Sequence, residues 1–590
     1  MKELEYPFDG DRLLSKKKSI RRELLSQGTK FIEKKIAILG GSTTNDIKAL
    51  LDLFLLNNGI KAEFYESEYN KYYEDAMFDA PELVEFKPDI IFIHTTSVNV
   101  RNYPEIRDSA EEVEGKLASV YGEFEGMWEH LREKYGCPII QNNMEYPNVR
   151  LLGNSDCVNI HGHVNFVNRL NAKFSEYAAS HENFFIHDIN YLAARIGLDT
   201  FFDPFYWYMY KYAVAVPAIP EFSYSLSHII KAIYGKNKKA FVLDLDNTLW
   251  GGVVGDDGPE NLEIGKETAE GEAFLAFQEY LKAHKDIGVL LNVSSKNEGE
   301  NALAGLNHEE GALKPDDFTV IKANWEPKSI NVETIASELS LGVDSFVFVD
   351  DNPAEREIVE ANIKGISVPA VTTPDKYMRE IDRHGYFEVL KLSKDDLSRN
   401  EMYKANIRRA ETLKTFTNYG DYLKSLEMKA VIRPFEPVYM ARIAQLTNKS
   451  NQFNLTTRRY TQGEIEEAAK ERLTFYGKLA DKFGDNGVVT VAIGRVEDAV
   501  CHMELWLMSC RVLKRDMELA LLDKIVHTCL EHGVREIRGY YYPTAKNAMV
   551  KEFYKELGFD RISEEAEGNT EWKLDISNGY EDKNKYIEVE

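Results

Sequence analysis

Short apolar runs that end in polar residues alternate with amphipathic stretches over much of the chain. The run KKIAILGG leads into IKALLDLFLLNNG, and later runs of this kind are PDIIFIHTT, CPIIQNN and FFIHDIN. The same pattern of apolar runs returns further along the chain with KKAFVLDLDNTLW, GVLLNVSS, FTVIK and SFVFVDD. Because parallel strands need a long crossover between them, usually a helix, this alternation predicts parallel sheets covered by helices. We therefore expect two open α/β units in succession.

The composition excludes several classes of protein. A chain of 590 residues suggests roughly three or four domains. Its 72 Lys and Arg residues against 97 Asp and Glu residues give a net charge of −25, which argues against a nucleic acid partner. No apolar run reaches the length of a membrane span, and residues 1–28 lack the apolar core of a signal peptide, so we expect a cytoplasmic protein with no membrane partner. The 5 cysteines show no CxxC spacing, which predicts free thiols.

The pattern changes towards the C-terminus. Strand-like runs LTFYGKLAD, GVVTVAIG and AVCHMELWLMS come in close succession, followed by a helix over Asp516–Glu531, the strand REIRGYYY and a helix over Thr544–Leu557. Strands joined by short turns pair antiparallel, so this unit is predicted to have an α+β fold. The fold class is a multidomain α/β protein. Its predicted segments are a helical lead (1–33), an α/β unit (34–235), a second α/β unit (236–395), a helical connector (396–428), the α+β unit (429–576) and a polar tail, expected to be frayed (577–590).

The strongest chemical signal is the pair Asp244 and Asp246 in the segment DLDNT. The preceding apolar strand delivers both carboxylates to the mouth of a parallel sheet, where open α/β folds bind ligands. Such a pair can bind Mg²⁺, with one Asp as nucleophile toward phosphorus and the other as general acid/base for the leaving group.

Three further groups of polar residues follow later strands of the same unit. Together with the pair Asp244 and Asp246 they make four groups, which we call stations. Ser295, Lys296 and Asn297 come after GVLLNVS, Lys328 lies in WEPKSIN, and Asp350 and Asp351 follow SFVFV. A hydroxyl and an ammonium neutralise phosphoryl oxygens, and the last acidic pair completes a metal site.

The four stations, in order and in strand context, resemble the haloacid-dehalogenase superfamily. The resemblance implies that Asp244 is the nucleophile and Asp246 the general acid/base. The other implied residues hold phosphate (Lys328, Thr248, Ser295, Lys296 and Asn297) or Mg²⁺ (Asp244, Asp246, Asp350 and Asp351). Too little chain separates Asp244 from Ser295 for a large inserted cap domain, as in the capless branch of the superfamily, so the site is expected to be open to bulky or protein-tethered substrates.

The segments KKAFVLDLDNTLWGGVVGDDG, TNKSNQFNLTTRRYT and ELWLMSCRVLKRDMELALL closely resemble the FkbH-like family, from about Lys34 to Ile576. That resemblance implies an enzyme that takes the acyl group of 1,3-bisphosphoglycerate, removes phosphate, and passes a glyceryl unit through an enzyme thioester to the thiol of an acyl carrier protein. The thioester position would be Cys510.

The surroundings of Cys510 support the same role independently. An apolar strand ends there, Arg511, Lys514 and Arg515 follow, and a helix begins near Asp516. Cationic neighbours and a helix N-terminus both favour a thiolate. The alternative interpretation is an ordinary buried cysteine at a strand end.

The α+β unit (429–576) is similar to acetyltransferases of the GNAT type, in which a glycine-containing R-x-x-G-x-G or A motif cradles the pyrophosphate of coenzyme A. Here Lys514 and Asp516 fill the glycine positions, so we expect no tight binding of free acetyl-CoA, whereas docking of a phosphopantetheine arm on basic side chains stays open. The predicted substrate contacts in this unit are Arg511 and the acyl-site wall residues Asn451, Gln452 and Arg458. A purely structural loop is the alternative for that wall.

The first unit, with Gly41 and Ser42 after a strand, resembles an SGNH-hydrolase-like domain. Such a hydrolase carries a late DxxH, which neither HDIN nor FFDPFYWY supplies. We interpret the unit as a degenerate hydrolase that serves as a scaffold or as a dock for the carrier.

The preferred function is therefore an acyl-phosphate-dependent loading enzyme with Mg²⁺, a small phosphorylated acid and an acyl carrier protein. One alternative is a Mg²⁺-dependent small-molecule phosphatase whose C-terminal unit is not catalytic. Another is an assembly module of a carrier-protein or polysaccharide pathway.

Overall fold

A computed structural model describes residues 1–450, 452–544 and 546–590, and the side chain of Cys510 lies outside the description. The chain forms two compact units, one of residues 1–234 together with 461–464, the other of residues 235–460 and 465–590. No helix within the described ranges is long and apolar enough to cross a membrane.

The first unit contains the predicted parallel sheet. Its strands are β1 (Ile32–Gly40), β2 (Ile60–Glu66), β3 (Ile90–His94), β4 (Ile139–Asn142) and β5 (Phe184–His187). All neighbours pair in parallel, in the order β2-β1-β3-β4-β5. The sequence prediction missed β2, an edge strand whose burial alternates along its first residues and whose apolar run is therefore short.

Helices cover this sheet. They are α1 (Gly10–Ser26), α2 (Asn45–Asn57), α3 (Tyr72–Met77), α4 (Pro81–Phe86), α5 (Ala110–Tyr135), α6 (His163–Ser180), α7 (Ile189–Ile196), α8 (Leu198–Phe201), α9 (Pro204–Tyr210) and α10 (Ile219–Ile233). The long helix α5 has clear local signals at both ends. Ser109 and Glu112 form a reciprocal capping box at its start, and Gly136 ends it with a φ of 60° that glycine adopts without steric cost.

The second unit begins with another parallel sheet. Its strands are β6 (Ala240–Leu243), β7 (Leu290–Ser295), β8 (Val320–Ala323) and β9 (Phe346–Val349), in the order β8-β7-β6-β9. The surrounding helices are α11 (Val254–Asp257), α12 (Ala269–Asp286), α13 (Gly299–Leu306), α14 (Lys328–Glu338), α15 (Pro353–Asn362) and α16 (Pro374–Asp382). All four predicted strands are confirmed. Because β7 and β9 lie on opposite sides of β6, the strand order reverses there, and ligands bind at such a point.

The connector is helical, as predicted, and leads into a mixed sheet. Its helices are α17 (Lys394–Leu397), α18 (Arg399–Lys414) and α19 (Tyr419–Ser425). The strands that follow are β10 (Met428–Arg433), β11 (Leu473–Asp481), β12 (Gly484–Glu497), β13 (Val500–Met508), β14 (Glu536–Tyr541), β15 (Asp560–Glu564), β16 (Thr570–Asp575) and β17 (Ile587–Val589). The helices are α20 (Met440–Lys449), α21 (Gln462–Glu471), α22 (Met517–Glu531) and α23 (Phe553–Glu556).

This eight-stranded sheet has the order β15-β16-β14-β13-β12-β11-β10-β17. Strands β10 to β13 pair antiparallel, whereas β13 and β14 pair in parallel after the crossover through α22, so the predicted α+β fold is confirmed. The helix predicted over Thr544–Leu557 is wrong: the described residues there form a 3-10 turn at Ala548–Val550 and the short α23. Tertiary hydrogen bonds compete with the helix, because the buried Asn547 amide donates to Asn454 O and Tyr542 O.

Strands β13 and β14 pair only near their starts, from Val500 with Glu536 to His502 with Arg538. Beyond that point a segment of the same chain lies between them. The backbone N–H of Leu455 donates to Trp506 O, Met508 N–H donates to Phe453 O, and Tyr542 N–H donates to Leu455 O. A segment of the same chain therefore bridges the gap between the two strands, and these bonds satisfy backbone groups that direct pairing leaves open.

The tail is not frayed, contrary to our expectation. Strand β17 pairs in parallel with β10 at the edge of the sheet. The carboxylate of Asp523 on α22 accepts hydrogen bonds from the Tyr580 hydroxyl and from the backbone N–H groups of Lys583 and Asn584. These tertiary contacts order a polar segment whose composition predicts disorder.

Candidate active site

Asp244 and Asp246 lie at the carboxyl end of β6, as the sequence predicts. The backbone N–H of Asp244 donates to Val349 O of β9 at 3.0 Å, so the residue is fixed beside the end of the neighbouring strand. Asn247 turns the chain with a φ of 56°, a conformation that asparagine tolerates better than most residues. The loop then buries Leu249 and Trp250 in the core.

Lys328 joins the first and the last station of the predicted constellation. It is the first residue of α14 and is almost fully buried. Its Nζ lies 2.7 Å from Asp244 Oδ2 and 2.5 Å from Asp350 Oδ2. Burial lowers the pKa of this lysine, but the charges of Asp244 and Asp350 outweigh it and raise the pKa overall. The ammonium is therefore charged and held between the two carboxylates.

Three carboxylates converge here. Asp244, Asp350 and Asp351 each offer an oxygen, and these oxygens lie within 4.8 Å of one another. Lys328 places one positive charge against these three carboxyl groups, and burial, followed by the charge of Asp244, raises the pKa values of both Asp350 and Asp351. The Oδ1 atom of Asp244 is buried and has no hydrogen-bond partner among the described residues.

These features fit a magnesium ion. Carboxylate oxygens are the hard ligands that Mg²⁺ prefers, and a divalent cation would balance the surplus charge and occupy the unpartnered oxygen of Asp244. Asp244, Asp350 and Asp351 are the residues that would hold it. The carboxylate of Asp246 does not belong to this cluster, so its own predicted role as a ligand stays a prediction.

The Asp246 carboxylate instead accepts three hydrogen bonds. The Trp250 indole N–H and the Val254 backbone N–H donate to Oδ1 at 3.0 and 3.1 Å, and Asn297 Nδ2 donates to Oδ2 at 2.7 Å. Burial raises the pKa of Asp246 even so. A carboxyl group that is held in place and more readily protonated suits a general acid.

The remaining phosphate-side residues separate into an inner and an outer group. Ser295 is buried at the end of β7, and Asn297 is buried two residues later. The Thr248 hydroxyl donates to Asp351 Oδ1 at 3.3 Å and accepts from the Asp351 backbone N–H at 3.1 Å. Lys296 is more exposed, and its Nζ lies 2.6 Å from Glu355 Oε1. The structure therefore gathers every predicted station of this unit and places Lys296 at the rim.

Sequence reasoning missed two residues of this site. Trp250 holds Asp246, as described above, and the only sequence signal is its position directly after DNTL. Arg356, on α15, donates from Nη1 to the backbone carbonyls of Asp350 and Asp351 at 2.6 and 2.8 Å, which fixes the loop that carries both acids. Nothing in the local sequence distinguishes Arg356 from a surface arginine.

The predicted acyl site of the α+β unit is described only in part. Asn451 and the side chain of Cys510 lie outside the described residues. Gln452 is half-buried, and Arg458 is exposed with Nη1 3.8 Å from Glu504 Oε1. For these four residues the predicted roles stay predictions.

The basic residues that follow Cys510 have mainly structural contacts. Arg511 is buried, with Nε donating to Ser509 Oγ at 3.1 Å and Nη2 lying 3.5 Å from Asp395 Oδ2 of the connector. Arg515 is also buried, and its Nη1 lies 3.1 Å from Asp481 Oδ2. Lys514 alone of the three is exposed. A contact between Arg511 and a substrate therefore stays a prediction, and the arginine has a clear role in anchoring the connector.

Ser42 in the first unit follows β1 and is buried. Its Oγ has no hydrogen-bond partner among the described residues. His187, from the HDIN segment, contacts Asn142 Oδ1 and Ser225 Oγ through its two ring nitrogens. The described contacts therefore contain no Ser–His pair that would activate Ser42, in keeping with the degenerate interpretation.

Known proteins resemble different parts of this chain. Residues 35–231 match the family model described as FkbH, N-terminal domain. The solved N-terminal part of protein BF1531 from Bacteroides fragilis, which contains a phosphatase domain complexed with Mg, is 29% identical, with a TM-score of 0.58 over 64% of this chain and 99% of that chain. No curated protein matches the sequence.

Acetyltransferase structures also match, over about a quarter of the chain. The ribosomal-protein-S18-alanine N-acetyltransferase of Escherichia coli is 15% identical with a TM-score of 0.21, covering 27% of this chain and 99% of that chain. Ard1 from Thermoplasma volcanium is 18% identical with a TM-score of 0.20, covering 25% of this chain and 97% of that chain. The domain match over residues 35–231 and the BF1531 structure confirm the predicted resemblance to FkbH-like proteins.

Proposed function

We propose that this protein is a Mg²⁺-dependent phosphatase of the haloacid-dehalogenase type whose reaction is coupled to acyl transfer. The observation that carries the proposal is the buried constellation in which Lys328 bridges Asp244 and Asp350 while Asp246 is held by separate donors. The phosphatase domain of the BF1531 structure, complexed with Mg, supports the same assignment.

The residues divide the chemistry between them. Asp244 attacks phosphorus to form an aspartyl phosphate, and Asp246 gives its proton to the leaving oxygen and later takes one from the attacking water. Lys328 stays charged in the site and stabilises the negative charge of the phosphoryl group. When bound, Mg²⁺ neutralises phosphoryl oxygens and orients them.

We expect Mg²⁺ to raise the thermal unfolding midpoint of the protein. Mg²⁺ that binds the carboxylate cluster only in the folded protein stabilises the folded state by about 2.7 kcal/mol at a free Mg²⁺ concentration 100 times the Kd. Scanning fluorimetry in Mg²⁺ and in EDTA measures the shift. Asp351→Asn removes one ligand and should cancel most of it, whereas Asp316→Asn, at an exposed acid, should not. A wild-type unfolding midpoint that is the same in Mg²⁺ and in EDTA would argue against the metal site.

The acyl part of the proposal concerns a substrate with two phosphates, such as 1,3-bisphosphoglycerate. Cys510 displaces the acyl phosphate to form a thioester, and the Asp244 site hydrolyses the phosphate ester. The glyceryl unit then passes to the thiol of an acyl carrier protein. Cys510 lies in a 3-10 turn directly after the Ser509 that follows β13, and exposed Lys514 and Arg458 supply positive charge for an acidic carrier.

Intact-protein mass spectrometry tests this reaction. After incubation with a bisphosphoglycerate-generating system and Mg²⁺, the wild type should gain one glyceryl mass in a hydroxylamine-labile adduct, because a thioester reacts with that nucleophile. Cys510→Ala should gain none, and the matched variant Cys157→Ala, at an exposed thiol of the first unit, should react like the wild type. An acidic carrier protein should discharge the adduct, less efficiently as salt rises.

A plain phosphatase is the second candidate, because Arg511 and Arg515 are committed to contacts with Asp395 and Asp481. Phosphate release without an adduct on any cysteine would favour that candidate. An assembly module would show neither phosphate release nor an adduct.

A further inference from the structure

The two oxygens of the Asp246 carboxyl group have different environments. Oδ1 accepts from the Trp250 indole at 3.0 Å and from the Val254 backbone at 3.1 Å, and Oδ2 accepts from Asn297 Nδ2 at 2.7 Å. Asp246 itself is well placed for catalysis, two residues after Asp244 at the mouth of the sheet.

This difference leaves the two oxygens unequally occupied. Each carboxyl oxygen has two lone pairs. Oδ1 accepts from two N–H donors, whereas Oδ2 accepts from Asn297 alone among the described contacts. The three hydrogen bonds together fix the orientation of the carboxyl group and leave Oδ2 the less occupied oxygen.

Packing holds both donors still. Trp250 is 1% exposed, and α13 passes so close that a Cβ on Gly305 would come 2.8 Å from the indole ring. Asn297 is 4% exposed. Both side chains therefore lie in the close-packed interior, where changes of rotamer are restricted.

We propose that Trp250 and Asn297 are positioning residues that fix the orientation of the Asp246 carboxyl group, and that they thereby equip the Asp244 site for the phosphate ester of an alcohol. The inference rests on the proposed function. It assigns the ester end of a bisphosphorylated acid, rather than the acyl phosphate end, as the bond whose cleavage needs this arrangement.

The proton balance explains the difference between the two ends. In the first step the Asp244–phosphorus bond forms, the ester P–O bond breaks, and the proton of the Asp246 carboxyl group goes to the alkoxide, which leaves as an alcohol. In the second step water attacks the aspartyl phosphate, and Asp246 takes one proton from it as phosphate leaves. An alkoxide is a poor leaving group and needs that proton, whereas a carboxylate or a nitrophenolate leaves without it.

The test compares leaving groups in the same variant. Glycerol 3-phosphate serves as the alcohol ester and p-nitrophenyl phosphate as the ester with a good leaving group, both with Mg²⁺. We compare kcat/KM, which reports the steps up to the aspartyl phosphate, so the common hydrolysis step does not enter. For Trp250→Phe and Asn297→Ala, kcat/KM for glycerol 3-phosphate should fall on the order of 10²-fold further than kcat/KM for p-nitrophenyl phosphate.

Because both substrates are assayed on one preparation, partial misfolding lowers both values equally and cannot imitate this result. Trp325→Phe is the matched control: Trp325 is 66% exposed and donates to Glu298 rather than to Asp246, so both substrates should keep wild-type rates. Equal losses on both substrates, or no loss on glycerol 3-phosphate, would overturn the positioning role alone. A wild type that releases phosphate from neither substrate would overturn the proposed function and this inference with it.

Discussion

The Asp244→Asn variant should retain its fold and lose phosphate release by a factor on the order of 10³ or more. An amide cannot form the aspartyl phosphate, and the variant also removes one of the two carboxylates that flank Lys328. The measurement is phosphate release from a phosphorylated three-carbon acid in Mg²⁺, with circular dichroism to verify the fold.

The matched control is Asp256→Asn, at an exposed aspartate of the neighbouring helix α11 that lies outside the carboxylate cluster. It should release phosphate at the wild-type rate. If Asp244→Asn also did so, the nucleophile would have to be another residue, and the mechanism proposed here would fail.

The second large effect concerns stability. Asp481, at the end of β11, has a fully buried side chain between two guanidinium groups. Arg409 of the connector helix α18 donates to it from Nε at 2.8 Å and from Nη2 at 2.6 Å, and Arg515 donates from Nη1 at 3.1 Å. Asp481→Asn leaves two buried cations without a counter-charge, and removing one partner of a buried ion pair costs about 3–5 kcal/mol.

Urea unfolding followed by tryptophan fluorescence measures this loss as a lower midpoint for the transition that includes the α+β unit. Asp560→Asn, at an exposed strand position, is the control and should leave the midpoint unchanged. An unchanged midpoint in Asp481→Asn would mean that water or nearby side chains screen the two arginines. The connector would then not depend on this ion pair.

The sequence by itself determined the chemistry of the phosphatase site. Asp244, Lys328 and Asp350 follow or flank apolar strands, and the carboxyl ends of neighbouring parallel strands meet at one edge of a sheet. Residue type and local periodicity were therefore enough to predict that these groups converge. The same reasoning predicted all four strands of that sheet, because buried parallel strands are continuously apolar.

Tertiary structure decided the features whose partners are distant in the chain. The basic character of Arg511 and Arg515 suggested an anion site, but their actual partners, Asp395 and Asp481, lie far away in the sequence. The tail is polar, yet β10 offers it an open edge.

The same limit applies to the residues that hold the site in place. The local sequence predicts only an apolar, buried role for Trp250. The fold brings its indole N–H to Asp246, where Asn297 also donates. Local sequence sets which groups a residue can offer and how its backbone prefers to fold. Which donor meets which acceptor depends on the path of the whole chain, because a hydrogen bond or an ion pair forms only when packing brings the two groups within about 3 Å.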